Sequence, residues 1–157
     1  MIRAATPADV PVILRFVREL AEYEREPEAV KATEPMLAEA LFGASPAAEA
    51  VIAEAEGAPV GFALFFHNFS TWTGLRGLYL EDLYVTPAAR GVGAGKALLR
   101  HLAGLAIDRG CARFEWSVLD WNTPAIDFYR AMGAEAMDEW TVQRVSGAAL
   151  ARLAGRG

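Results

Sequence analysis

Apolar residues recur at Val10, Ile13, Leu14, Val17 and Leu20, the spacing of one helix face. Thr6-Pro7 precedes the run as a cap and a first-turn proline, and the pattern fades near Glu26-Pro27. A second start signal, Thr33-Glu34-Pro35, leads into MLAEALFG, a short helix stopped by Gly43. The period then changes. Residues 49–56 and 60–67 are rich in small, β-branched and aromatic side chains, with Gly57-Ala58-Pro59 between them, which predicts a hairpin. The loop NFSTWTGLRG leads to LYLEDLYV, residues 78–85, the clearest strand of the chain. Helical spacing returns at Leu98, Leu99, Leu102, Leu105 and Ala106 and ends at Gly110. Residues 112–119 predict a strand, Asn122-Thr123-Pro124 opens a helix to Met132, and Gly133 closes it. Residues 136–145 predict one or two more strands, and Ser146 can cap a last short helix. With a short opening strand at 1–4, the order is βααβββαβαβ, a mixed α/β layer fold.

Composition narrows the class. A chain of 157 residues, 54% apolar, predicts one domain around one core. No apolar run approaches the ~20 residues of a membrane span, and no signal-peptide pattern opens the chain. Cys111 stands alone, which excludes an intrachain disulfide framework and suits a reducing, cytoplasmic setting. His67 and His101 lie far apart with no Cys/His cluster, so no metal site is expected. A net charge of −5 argues against a nucleic-acid partner and is compatible with a cationic substrate.

The candidate chemistry begins at RGVGAGKALL, where glycines stand at 91, 93 and 95. A P-loop would need glycine at 90, which is arginine, and Ser/Thr at 97, which is alanine. A dinucleotide fingerprint would need glycine at 96, which is lysine. The pattern that remains is Q/R-x-x-G-x-G-x-G/A, with Arg90-Gly91-Val92-Gly93-Ala94-Gly95 taken as the matching block, followed by Lys96. Such a turn brings backbone N–H groups and a helix N-terminus together on a pyrophosphate. A tight turn that holds no ligand is the plain alternative. It is less attractive because three glycines in five residues each cost backbone entropy.

This block resembles the coenzyme turn of the GCN5-related N-acetyltransferases. LEDLYVTPAARGVGAGKALL resembles that family's central strand, turn and helix, and DWNTPAIDFYRAMGA, residues 120–134, resembles its later helix motif. LAEYE at 20–24, YLEDLYV at 79–85, DWNTPAIDFY at 120–129, and Trp140 with Arg144 are similar to the diamine (spermidine/spermine-like) acetyltransferase branch. The resemblance covers nearly the whole chain and implies one N-acetyltransferase domain over 1–157. The implied sheet is mostly antiparallel, flanked by helices and splayed between strands 78–85 and 112–119. It implies acetyl-CoA as co-substrate, a small polyamine-like amine as acceptor, and a homodimer.

Amine acetylation sets the roles. An alkylamine has a pKa near ~10.4, so it arrives as an ammonium and must lose a proton before it attacks. By resemblance Glu81 is the general base, through water, and Asp82 helps to bind the cation. Strand alternation would put these neighbours on opposite faces unless a bulge intervenes. By resemblance Tyr129 is the general acid near the coenzyme sulfur, and Asn122 contacts the pantetheine arm. The same resemblance has the backbone of Leu83, Tyr84 and Val85 pair with that arm in the splayed gap. Glu24, in the acidic end of the first helix, and Trp72, in the loop before the Glu81 strand, complete the substrate set. Plain structural readings stand beside these: surface carboxylates, a core aromatic at Tyr129, a helix cap at Asn122, and a solvated acidic face around Glu24. His67, His101 and Cys111 read as packing or surface residues. The rivals are a thialysine or other amino-acid acceptor, whose carboxylate would call for Arg76 or Arg144, a peptide acceptor, and a non-catalytic acyl-CoA sensor.

Overall fold

The computed structural model describes all residues from 1 to 157. Met1–Leu119 and Asp120–Gly157 form two compact units. The first holds a five-stranded sheet in the order β1 (Ile2–Ala4), β2 (Glu49–Ala55), β3 (Ala58–Ser70), β4 (Leu75–Val85), β5 (Arg113–Glu115). Neighbours are antiparallel except β4 and β5, which run parallel. No helix is long and apolar enough to cross a membrane.

Each face of the sheet takes its own helices. The apolar stripe of α1 (Val10–Tyr23), with α2 (Glu34–Phe42), covers one face. Ile13, Phe16, Leu41, Ile52, Phe62 and Tyr84 form one buried cluster there. The Phe16 ring lies 5.8 Å from that of Phe62 and 5.6 Å from that of Tyr84. The other face receives α3 (Ala94–Asp108), which buries Leu98, Leu99, Leu102 and Ala106. Arg109, just past its end, grips Glu49 of β2 through two bonds of 2.7 and 2.9 Å and lies over the Phe65 ring. His67 stands beside that guanidinium, in keeping with a packing role. Near the N-terminus, buried Asp9 accepts from Arg3 at 2.7 and 2.9 Å and from the Thr6 N–H at 2.7 Å, tying β1 to the turn that starts α1. The Arg3 hydrogen bond holds the Asp9 carboxyl at about 2.

Three elements differ from the sequence expectation. The expected loop before residue 78 is mostly strand. Ser70 Oγ accepts from the N–H groups of Trp72 and Thr73 at 3.2 and 3.3 Å, and Gly74 takes a φ of 70°, so a tight turn suffices and β3 and β4 extend up to it. The strand expected over 112–119 is laddered only over Arg113–Glu115, ending at the Tyr79–Glu115 pair. The strands expected over 136–145 do not form. The second unit contains α4 (Thr123–Ala131) and α5 (Gly147–Leu153) and no strand that could offer this segment a ladder.

Candidate active site

The β3–β4 ladder carries the bulge that would reconcile Glu81 with Asp82. Phe65 pairs with Leu80 and Leu64 pairs with Asp82, so Glu81 is the extra residue. Leu80 shares the α3 face with Phe65, whereas Asp82 shares the α1 face with Leu64. Following Leu80, Glu81 also falls on the α1 face. Both carboxylates therefore occupy one face. The bulge bends β4 just past Tyr79, where the parallel ladder with β5 stops, and this accounts for the short β5.

Glu24 joins the pair from α1, whose C-terminal cap it forms. Asp82 is half-buried, and burial, followed by the charges of Glu81 and Glu24, pushes its pKa up to about 6. Burial raises Glu24 as well. No cation enters the balance at Asp82. Three acids thus share a partly dry patch at the end of α1, an arrangement that attracts a cation.

Beside it lies an unpaired strand edge. Thr86 N–H bonds Val60 O at 2.8 Å, so every second residue back along β4, namely Tyr84 and Asp82, points its peptide groups at β3. Leu83 and Val85 point theirs the other way, where β5 no longer runs. The sequence expectation named Leu83, Tyr84 and Val85 together. By this alternation the edge is offered by Leu83 and Val85, and Tyr84 instead buries its ring against Phe16.

The turn after β4 begins at Arg90. Gly91 and Gly93 have φ of 85° and 88°, and a Cβ at either would meet nothing. Glycine is therefore needed there for the left-handed backbone and not for space. The first intrahelical bond of α3 runs from Ala97 N–H to Gly93 O at 2.9 Å, so the N–H groups of Ala94, Gly95 and Lys96 lack helical acceptors. Val92 is three-quarters exposed on this turn. The donor set fits a pyrophosphate.

Two expected residues sit away from these acids. Trp72 lies in the hairpin turn, beyond the start of β4 and so roughly 20 Å along the ladder from Asp82. Arg76 pairs with Phe69 on the α3 face, opposite the acids, and its charge acts on His67. Sequence reasoning missed the neighbours on the acid face. Tyr79 lies there with its ring 5.2 Å from Phe66 and its hydroxyl 3.0 Å from Ser117 Oγ, at the point where β4 and β5 part. Only the period-two register across β3 and β4 could have pointed to them.

In the second unit, Asn122 is buried and caps α4, its Oδ1 accepting from Ala125 N–H at 3.4 Å. Tyr129 lies on α4, half-buried, with its ring 5.6 Å from Phe128.

Comparison with known proteins gives this arrangement a family. Residues 14–134 match the Acetyltransferase (GNAT) family, and the chain belongs to it. It is an N-acetyltransferase, and the family uses acetyl-CoA as co-substrate. The chain is 41% identical to thialysine N-epsilon-acetyltransferase of Bos taurus, covering 99% of this chain and 98% of that protein. It is 37% identical to spermidine/spermine N(1)-acetyltransferase-like protein 1 of Homo sapiens, over 85% of this chain and 20% of that longer protein. An integron cassette protein from the mobile metagenome of V. cholerae superposes with a TM-score of 0.81 at 30% identity, covering 98% of this chain and 96% of that one.

Proposed function

We propose that the protein transfers acetyl from acetyl-CoA to the primary amine of a small polyamine-like substrate, by direct attack within a ternary complex. The observation that carries this reading is the bulge that sets Glu81 and Asp82 on one face, with Glu24 near enough for its charge to act on Asp82. Asp82 and Glu24 hold the cationic substrate. Glu81, the exposed member, takes the proton from the ammonium through water. The amine lone pair then attacks the thioester carbon, whose oxygen is held by a backbone N–H of the β4 edge. As the C–S bond breaks, Tyr129 gives its proton to the departing thiolate. The turn 90–96 binds the pyrophosphate through its amides, and Asn122 contacts the pantetheine arm. The reading includes a homodimer, supported by the family resemblance, and a cytoplasmic setting, which the lone Cys111 suits. Trp72 serves the amine site only from a second copy, since its own chain holds it far from Asp82.

A second reading, acetylation of thialysine, is favoured by the 41% identity across the chain. That substrate carries a carboxylate, and Arg76 faces away from the acids, so Arg144 is the remaining candidate partner.

The deciding experiment is CoA-thiol release with acetyl-CoA and spermidine, spermine, putrescine, thialysine, lysine or a lysine-bearing peptide. Release with spermidine exceeding that with thialysine supports the proposal, and the reverse order installs the second reading. Tyr129→Phe should lower kcat about 100-fold or more while acetyl-CoA affinity holds. Affinity lost in parallel with kcat would contradict a general-acid role.

The acids also predict a pH limb. Asp82 becomes charged as pH rises through about 6, so KM for the amine should fall across that range. In Asp82→Asn the same limb should be flat. A limb that survives the substitution would assign it to another group.

A further inference from the structure

We infer that Arg90 is a positioning residue that couples the coenzyme turn to the amine-binding acids, and that its side chain is not a phosphate ligand. The inference rests on the proposed amine site. The motif alone assigns Arg90 to the pyrophosphate, but the structure commits its side chain elsewhere. Nε donates to Val85 O at 3.0 Å, taking a carbonyl at the end of the open β4 edge. The guanidinium lies 5.5 Å from the centre of the Tyr23 ring and 5.7 Å from that of Tyr84.

Those three contacts reach three parts of the site. Val85 closes β4. Tyr84 is buried against Phe16 of α1. Tyr23 is the last residue of α1, directly before Glu24. The chain turns sharply there: Arg25 has a φ of 65°, and Glu26 N–H returns to Ala21 O at 2.8 Å. Glu24 is therefore placed by the end of α1, and Arg90 packs on that end. In the other direction Arg90 leads directly into Gly91, the first left-handed residue of the turn. A movement of the turn around a bound pyrophosphate would be carried through the Arg90 plane to Tyr23 and Glu24. Arginine suits this role because its planar group stacks on rings while Nε donates in the plane; lysine cannot do both.

The test compares wild type with Arg90→Met, Arg90→Lys and Tyr23→Leu. One measurement is steady-state kinetics with the best amine of the panel, alongside acetyl-CoA affinity by calorimetry. Loss of the hydrogen bond, of the two ring contacts or of both should raise KM for the amine about 10-fold in the two Arg90 variants, and loss of the Tyr23 ring contact alone about 3-fold in Tyr23→Leu. Acetyl-CoA affinity should stay within about 2-fold of wild type. A 10-fold loss of acetyl-CoA affinity with an unchanged amine KM would make Arg90 a phosphate ligand and overturn the inference. Unchanged values for both would overturn it as well. The other measurement is hydrogen exchange with no amine present. Acetyl-CoA should slow exchange over residues 20–26 in wild type, and this slowing should be lost in Arg90→Lys. Absence of slowing in wild type, or its persistence in the variant, ends the inference. If no amine is acetylated by wild type, the substrate reading fails while the exchange result still decides the role of Arg90.

Discussion

Asp82→Asn should yield a protein that is more stable at neutral pH and about 100-fold poorer in kcat/KM for its amine. Both effects come from one charge. The Asp82 carboxyl titrates at about 6 in the folded chain, above its ordinary 3.8, because it is half-buried and faces Glu81 and Glu24. Between those two values the folded state holds a proton that the unfolded chain has released. Stability from this group is therefore fully present below 3.8 and is lost as pH rises through about 6. At pH 7 the ionised group costs the fold roughly 1–3 kcal/mol, which asparagine removes. The gain in Tm should be plain at pH 7 and absent at pH 4. Activity moves the opposite way, since the cation held by Asp82 and Glu24 loses one of its two partners. Glu81→Gln is the useful contrast. Glu81 is exposed, so its loss should lower kcat with little change in Tm. Thermal melts at the two pH values, run with amine kinetics, check both. A destabilised Asp82→Asn would mean that its carboxyl is held by a favourable partner and not by repulsion.

Phe62→Ala should cost about 3–5 kcal/mol of folding stability, a large part of the ~5–15 kcal/mol a domain has in total. Phe62 is fully buried, lies 5.8 Å from Phe16 ring to ring, and pairs across the ladder with Tyr84. Its removal leaves a cavity between α1 and the sheet that its neighbours cannot close, because β3 is fixed by β2 on one side and β4 on the other. Phe66 is the internal control. It lies on the same face but is half-buried, so Phe66→Ala should cost about 1–2 kcal/mol. Urea unfolding should show the larger drop in midpoint for Phe62→Ala at an unchanged slope. Equal costs would mean that the α1 face is packed as tightly at the hairpin arm as at its centre.

The chain announces much of this in advance, each time through a local rule. Val10, Ile13, Leu14, Val17 and Leu20 repeat at helical spacing, and α1 buries Val10, Ile13, Leu14 and Phe16. Thr33 caps α2 through the Met36 N–H, and Asn122 caps α4. Gly91 and Gly93 adopt the left-handed backbone that a glycine-rich turn requires. Helix stripes, caps and turns are set by residues within four positions of one another, so a linear reading reaches them.

Tertiary structure decided what depends on a partner distant in sequence. Residues 112–119 and 136–145 have strand-like composition, yet only Arg113–Glu115 found a neighbour, because a ladder needs two strands and local composition describes one. Alternation by itself would separate Glu81 from Asp82. The register against Leu64 and Phe65 inserts the bulge that puts both acids on one face. Trp72 is near Glu81 in sequence but extended strand carries it away, while Glu24, far off in sequence, comes close through the packing of α1 on the sheet. Arg90 belongs to the turn by its backbone and to α1 by its side chain. A motif records only the first of these, because a long side chain chooses its contacts in space and not along the chain.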